Sequence, residues 1–161
     1  MARLPMRVYA DTSVFGGVFD EEFHRPSVEF FNQVRSGRFV LVISTLVQEE
    51  LVSAPESVRT FAEEMLPFAE VVELDERVYE LRQSYLDRRI LTERSLADAT
   101  HVAAATVTRC QAIVSWNFAH IVSFRRIPLY NAVNVVEGFS PLAIHSPSEV
   151  IEDEGHEIED V

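Results

Sequence analysis

The sequence contains no lysine; all 14 of its basic residues are arginine. That absence excludes several α/β activities at once. A P-loop needs its phosphate-binding lysine, and with only five glycines no glycine-rich phosphate fingerprint is present either. Schiff-base chemistry needs a lysine amine. A two-component receiver domain has a similar size and clustered acids, but its usual lysine is missing. The single cysteine, Cys110, excludes an internal disulfide and any multi-cysteine metal site. A reducing cytoplasm is the simplest compartment. No apolar run approaches the roughly 20 residues of a membrane span, and the start of the chain lacks the charged, apolar, small-residue pattern of a secretory signal.

Positive charge is also scarce. Against 14 arginines stand 26 acids, a net charge of −12. Six of those acids fall in residues 152–161, which contain no base, so the remaining body carries 20 acids against 14 bases. Such a body cannot present the broad positive potential of a non-specific DNA coat. It remains compatible with a nuclease whose acids are gathered in one metal pocket.

A chain of 161 residues with 47% hydrophobic content has the size and apolar mass of one folded domain. We assign that domain to residues 1–151 and read 152–161 as an acidic, disordered tail. Strands are expected over 7–10, 39–43, 69–74, 112–115 and 142–145, with helices over 26–36, 45–53, 55–66, 76–88, 96–109 and 128–138 and a turn of helix at 147–151. Phe30, Phe31 and Val34 give the first of these helices its apolar face, and Gly37 is a suitable stop. Thr45 and Gln48 have capping-box spacing. Asp75 and Ser95 are placed to cap the helices that follow them, and Leu96, Ala99, Val102, Ala103 and Val107 form one packing face. The alternation of strand and helix defines an α/β protein with a parallel sheet covered on both faces.

Four polar residues sit at comparable junctions. Asp11 ends the first apolar run, Glu50 lies in the helix after the second strand, Asp98 lies in the first turn of the helix before the fourth, and Asn117 follows the fourth. In an open α/β sheet the crevice lies beyond the carboxyl ends of the strands, so all four can face it. Three carboxylates and an amide offer hard oxygen ligands, which favour Mg²⁺ or Mn²⁺ over zinc. A divalent ion held there can activate water and offset the charge that develops on a phosphodiester. Thr12, Ser13 and Ser115 are placed to orient the carboxylates. Asn117 is equally at home as a turn residue.

At these positions the chain resembles the PIN-domain ribonucleases, specifically the VapC type of toxin from type II toxin–antitoxin systems. The resemblance rests on Asp11-Thr12-Ser13-Val14, on Ser44-Thr45-Leu46-Val47-Gln48-Glu49-Glu50-Leu51, on Leu96-Ala97-Asp98-Ala99-Thr100 and on Val114-Ser115-Trp116-Asn117-Phe118, which occur in the family's order. It implies a five-stranded parallel sheet of order 3-2-1-4-5 and Mg²⁺- or Mn²⁺-dependent cleavage of single-stranded or looped RNA. It further implies Asp11, Glu50 and Asp98 as metal ligands, a small antitoxin protein as partner, and a homodimer. The family's fourth acidic position is often Asp and here is Asn117, which keeps an oxygen but loses the charge.

Arg88, Arg89, Arg94, Arg125 and Arg126 flank the segments that carry Asp98 and Asn117 and are candidates for an RNA-binding rim. His101, three residues beyond Asp98, falls on the same helical side, where a packing or capping role is the commoner one. His24, His120 and His145 show no metal-ligand spacing. Trp116 and Phe118 suit core packing better than base stacking. Two rival readings follow from the same residues. One is a catalytically inactive PIN-like module that binds RNA or protein, motivated by Asn117 and the acidic body. The other is a phosphatase of the haloacid dehalogenase type, which would want a second Asp where Ser13 stands.

Overall fold

The computed structural model describes residues 4–152; the tail assigned to 152–161 lies outside it except for Glu152. Five parallel strands form one sheet: β1 (Met6–Ala10), β2 (Phe39–Ser44), β3 (Ala69–Val72), β4 (Ala112–Val114) and β5 (Ala143–His145), in the order β3-β2-β1-β4-β5. The α/β class and this strand order agree with the sequence-based expectation. β1 is central because its residues suit burial on both faces: Val8, Tyr9 and Ala10 are completely buried. β3 carries Glu70 and an exposed Val71, so it tolerates only the edge. An ion pair between Arg7 and Glu70 ties that edge back towards β1.

The helices are α1 (Thr12–Gly17), α2 (His24–Arg35), α3 (Thr45–Val52), α4 (Glu56–Met65), α5 (Glu76–Asp87), α6 (Leu96–Val107), α7 (Ile127–Val136) and α8 (Pro147–Val150). Phe30 and Phe31 of α2 stack against Phe39 and Phe15, which builds one aromatic side of the core. Burial of each such ring is worth roughly 1.5–3 kcal/mol. α6 approaches the sheet closely because Ala99, Ala103, Ala104 and Ala105 are fully buried and small. α7 docks through Asn134, which is completely buried yet accepts from the Tyr85 hydroxyl and donates to Thr106 Oγ1.

The local expectations differ from the structure where a side chain has found a distant partner. Asp75 caps α5 as expected, accepting from the Val78 N–H. The Thr45–Gln48 box does not form: Ser44 is the N-cap, and its hydroxyl pairs with the Tyr9 hydroxyl instead. Ser95 is the N-cap of α6 but its hydroxyl lies 3.4 Å from His120 Nδ1 and makes no cap bond. Leu96, expected inward, is 38% exposed because the 3-10 turn Glu93–Ser95 sets the phase of the first helical turn. Pro55 occupies the N-cap of α4, not its first helical position. A true capping box closes α8 between Ser146 and Glu149.

Candidate functional site

The register of β1 and β4 sets Asp11 beside Ser115. Ala10 pairs with Val114 across β1 and β4, and the Asp11 N–H donates to the Val114 carbonyl. Asp11 and Ser115 therefore emerge side by side at the carboxyl edge of the sheet. Ser13 Oγ donates to Asp11 Oδ1 at 2.5 Å and Ser115 Oγ to Oδ2 at 2.6 Å. Each serine is itself fixed, since Ser13 Oγ accepts from the Trp116 N–H and Ser115 Oγ from the Asn117 N–H. Asp11 is only 4% exposed and makes no ion pair with any described residue. Burial raises its pKa above the ordinary carboxylate value, against the opposing pull of the His101 charge and the two serine hydroxyls, and Asp98 adds to the rise.

Glu50 reaches the same region from α3. Its Oε1 accepts from Thr12 Oγ1 at 2.7 Å and pairs with His101 Nε2 at 2.6 Å. Burial alone would raise the Glu50 carboxyl; the hydrogen bond and charge of His101, with the Thr12 bond, outweigh it and hold the pKa below the usual range. Oε2 is left without a hydrogen-bond partner among the described residues. Asp98, in the first turn of α6, lies 3.1 Å from His120 Nδ1 through Oδ2. Thr12, Ser13 and Ser115 each donate a hydrogen bond to a carboxylate, Thr12 to Glu50 and the serines to Asp11.

Two histidines matter more than sequence spacing shows. His101 turns away from Asp98 towards Glu50 and Tyr9, and it is 2% exposed. His120, scattered in sequence, is brought to Asp98 by the turn after β4. The signal for it lies in Asn117, three residues earlier, whose Oδ1 accepts from the His120 N–H at 2.9 Å and closes that turn. Trp116 is a packing residue, stacked on Phe23 with ring centroids 4.1 Å apart, while Phe118 is 52% exposed. Arg126 is half-buried and donates to the carbonyls of Ile90 and Ala119, which joins the two loops beside Asp98. Arg88, Arg89, Arg94 and Arg125 are exposed and form no ion pair among the described residues.

The donor set suits a hard cation: carboxylate oxygens at a partly open edge, with one of the acids buried and lacking a cationic partner. No three Asp, Glu, His or Cys side chains among the described residues come close enough to enclose an ion by themselves. An ion at this edge would take one or two carboxylates directly and complete its shell with water. An apolar cavity of about 200 Å³ between Phe15, Leu51 and Met65 includes none of these acids.

A 3-2-1-4-5 parallel sheet with acids gathered at its carboxyl edge defines the class of protein, and residues 8–118 match the model of the PIN domain. The chain belongs to the PIN domain family. Solved structures with the same fold include FitAcB from Neisseria gonorrhoeae, at 14% identity and a TM-score of 0.57 over 89% of this chain and 99% of that one. VapBC2 from Rickettsia felis, bound to a DNA fragment from its promoter, aligns at 13% identity and 0.57 over 86% and 98%. A toxin–antitoxin complex from Klebsiella pneumoniae aligns at 16% identity and 0.55 over 74% and 93%. No curated protein sequence matches the chain.

Proposed function

We propose that this protein is an Mg²⁺- or Mn²⁺-dependent endoribonuclease that hydrolyses RNA phosphodiester bonds, of the VapC toxin type, acting as a homodimer restrained by a small antitoxin protein. The observation that carries the reading is Asp11: a buried carboxylate, held by two hydroxyls and in no ion pair with a described residue, beside Glu50 and Asp98 at the crevice of a PIN fold. Asp11, Glu50 and Asp98 would hold the ion, one or two of them directly and the rest through bound water. When bound, it supplies positive charge for the phosphodiester and lowers the pKa of water.

The chain's own residues do the rest. Ser13 and Ser115 fix both Asp11 oxygens, Thr12 and His101 fix one oxygen of Glu50, and His120 fixes one of Asp98. Arg88, Arg89, Arg94 and Arg125 would meet the phosphates on either side, while Arg126 holds the loops that carry them. Asn117 closes the turn that presents His120. Purified protein incubated with structured RNAs should cleave them in Mg²⁺ or Mn²⁺ and stop in EDTA. Asp98→Asn, at a site already partly open to solvent, should fold normally and abolish the cut; undiminished cleavage by that variant would exclude the mechanism.

One observation favours a second reading. Asn117 offers an engaged amide where a fourth acid is common, so an inactive RNA- or protein-binding module remains the rival. Calorimetric titration with Mn²⁺ separates the two, because a module that only binds needs no ion in this pocket.

A further inference from the structure

A polar chain runs through the core behind Glu50. Ser44 Oγ lies 2.7 Å from the Tyr9 hydroxyl, which lies 2.7 Å from His101 Nδ1, and His101 Nε2 lies 2.6 Å from Glu50 Oε1. Ser44 and Tyr9 are completely buried and His101 nearly so. The chain joins β1, the end of β2, α6 and α3 through contacts that span 35, 92 and 51 residues of sequence. Buried polar groups are costly unless paired, and here every member is satisfied by the next. An ionised Glu50 accepts from the Nε2–H. The Nδ1–Tyr9 and Tyr9–Ser44 links each carry one shared proton, whose side is set by the protonation of the ring.

We propose that Ser44, Tyr9 and His101 form a positioning chain whose task is to lock Glu50 Oε1, so that Oε2 alone is presented to the divalent ion. The inference rests on the metal site of the proposed function and adds residues to it that carry no acid and touch no substrate. His101 acts through Glu50, and Tyr9 acts through His101. A carboxylate so fixed loses no rotamer freedom when the ion arrives, whereas an untethered Glu50 must be ordered at that moment.

The test is Mn²⁺ affinity by calorimetry, with thermal melts in EDTA recorded on the same proteins. His101→Leu, which fills the volume but cannot donate, should weaken Mn²⁺ binding by about 10–100-fold, the range seen when such outer partners are removed. His101→Gln keeps a donor near the Nε2 position and should recover most of the affinity. Tyr9→Phe leaves the ring in place but unanchored, and should give a smaller loss. A structural role alone would lower the melting temperature in EDTA and leave the Mn²⁺ affinity unchanged, which would overturn the proposal. If His101→Leu does not fold, Tyr9→Phe decides: wild-type affinity in that variant also overturns it. Failure of the wild type to take up Mn²⁺ would remove both the proposal and the metal-dependent function, whereas equal uptake by wild type and variants removes the positioning chain alone.

Discussion

At the scale of single residues, Asp11 carries a conflict between stability and chemistry. A carboxylate at 4% exposure with only hydroxyl partners destabilises the ion-free fold. Asp11→Asn removes the charge and keeps the shape. The amide can accept from one serine and donate towards the other, so the net gain in EDTA should be about 1 kcal/mol, or about 2–4 °C in a domain of this size. The gain should depend on pH with a definite sign. The folded pKa of Asp11 is raised, so the native state holds this proton where the unfolded chain has released it. The stability due to the neutral form is therefore present at acid pH and lost as pH rises through the folded pKa. Melts in EDTA should show no advantage of Asp11→Asn in acid and a growing one towards neutrality; an advantage independent of pH would sink this account. The positions of the acids can be read from the sequence: Asp11 ends the first apolar run, Glu50 borders the apolar face of α3 and Asp98 lies in the first turn of α6. Their partners cannot: His101 meets Tyr9 across 92 residues, and His120 meets Asp98 across a turn whose direction no local pattern specifies.

At the scale of elements, α1 sets the position of the loop after β4. A Cβ on Gly17 would stand 2.6 Å from Trp116 Nε1 and collide also with Ser27 Oγ, the atom to which that indole donates. The glycine is needed for close approach, not for an unusual backbone angle. Gly17→Ala should cost about 1–3 kcal/mol by overpacking and push the indole off its Phe23 stack. Trp116 is the only tryptophan, so its fluorescence maximum reports the shift directly; an unchanged spectrum and melting temperature would show that the contact yields freely. Strands and helices were readable from apolar runs and periodicity, and their ends fell within a few residues. The caps were less so. Ser44 and Ser95 carry the right side chains for capping, but the Tyr9 hydroxyl and the His120 ring compete for those oxygens. A hydroxyl with a buried tertiary partner serves the core first.

At the scale of the molecule, strand–helix alternation made a parallel sheet legible, and the acids of the third strand marked it as an edge; the full strand order came with the resemblance to the PIN-domain family. The net charge of −12 has a consequence for substrate binding. An acidic protein cannot hold RNA through a general field, so contacts must be few and local. Of the proposed rim, Arg126 is committed to the carbonyls of Ile90 and Ala119, which leaves Arg88, Arg89, Arg94 and Arg125 for the phosphates of the proposed RNA substrate. For single-stranded RNA each phosphate contact contributes about −0.7 to the slope of log affinity against log salt. Four such contacts set a slope no steeper than about −3. In an Asp98→Asn background that leaves the RNA intact, changing Arg94 and Arg125 together to Gln should weaken binding and flatten the slope by about 1.4, as read by fluorescence anisotropy over a salt series. Arg126→Gln should act differently, lowering the melting temperature by loosening the loops beside Asp98 while leaving the salt slope nearly unchanged. If the double variant keeps the wild-type slope, the arginines are ordinary surface charge and the RNA path must cross another face.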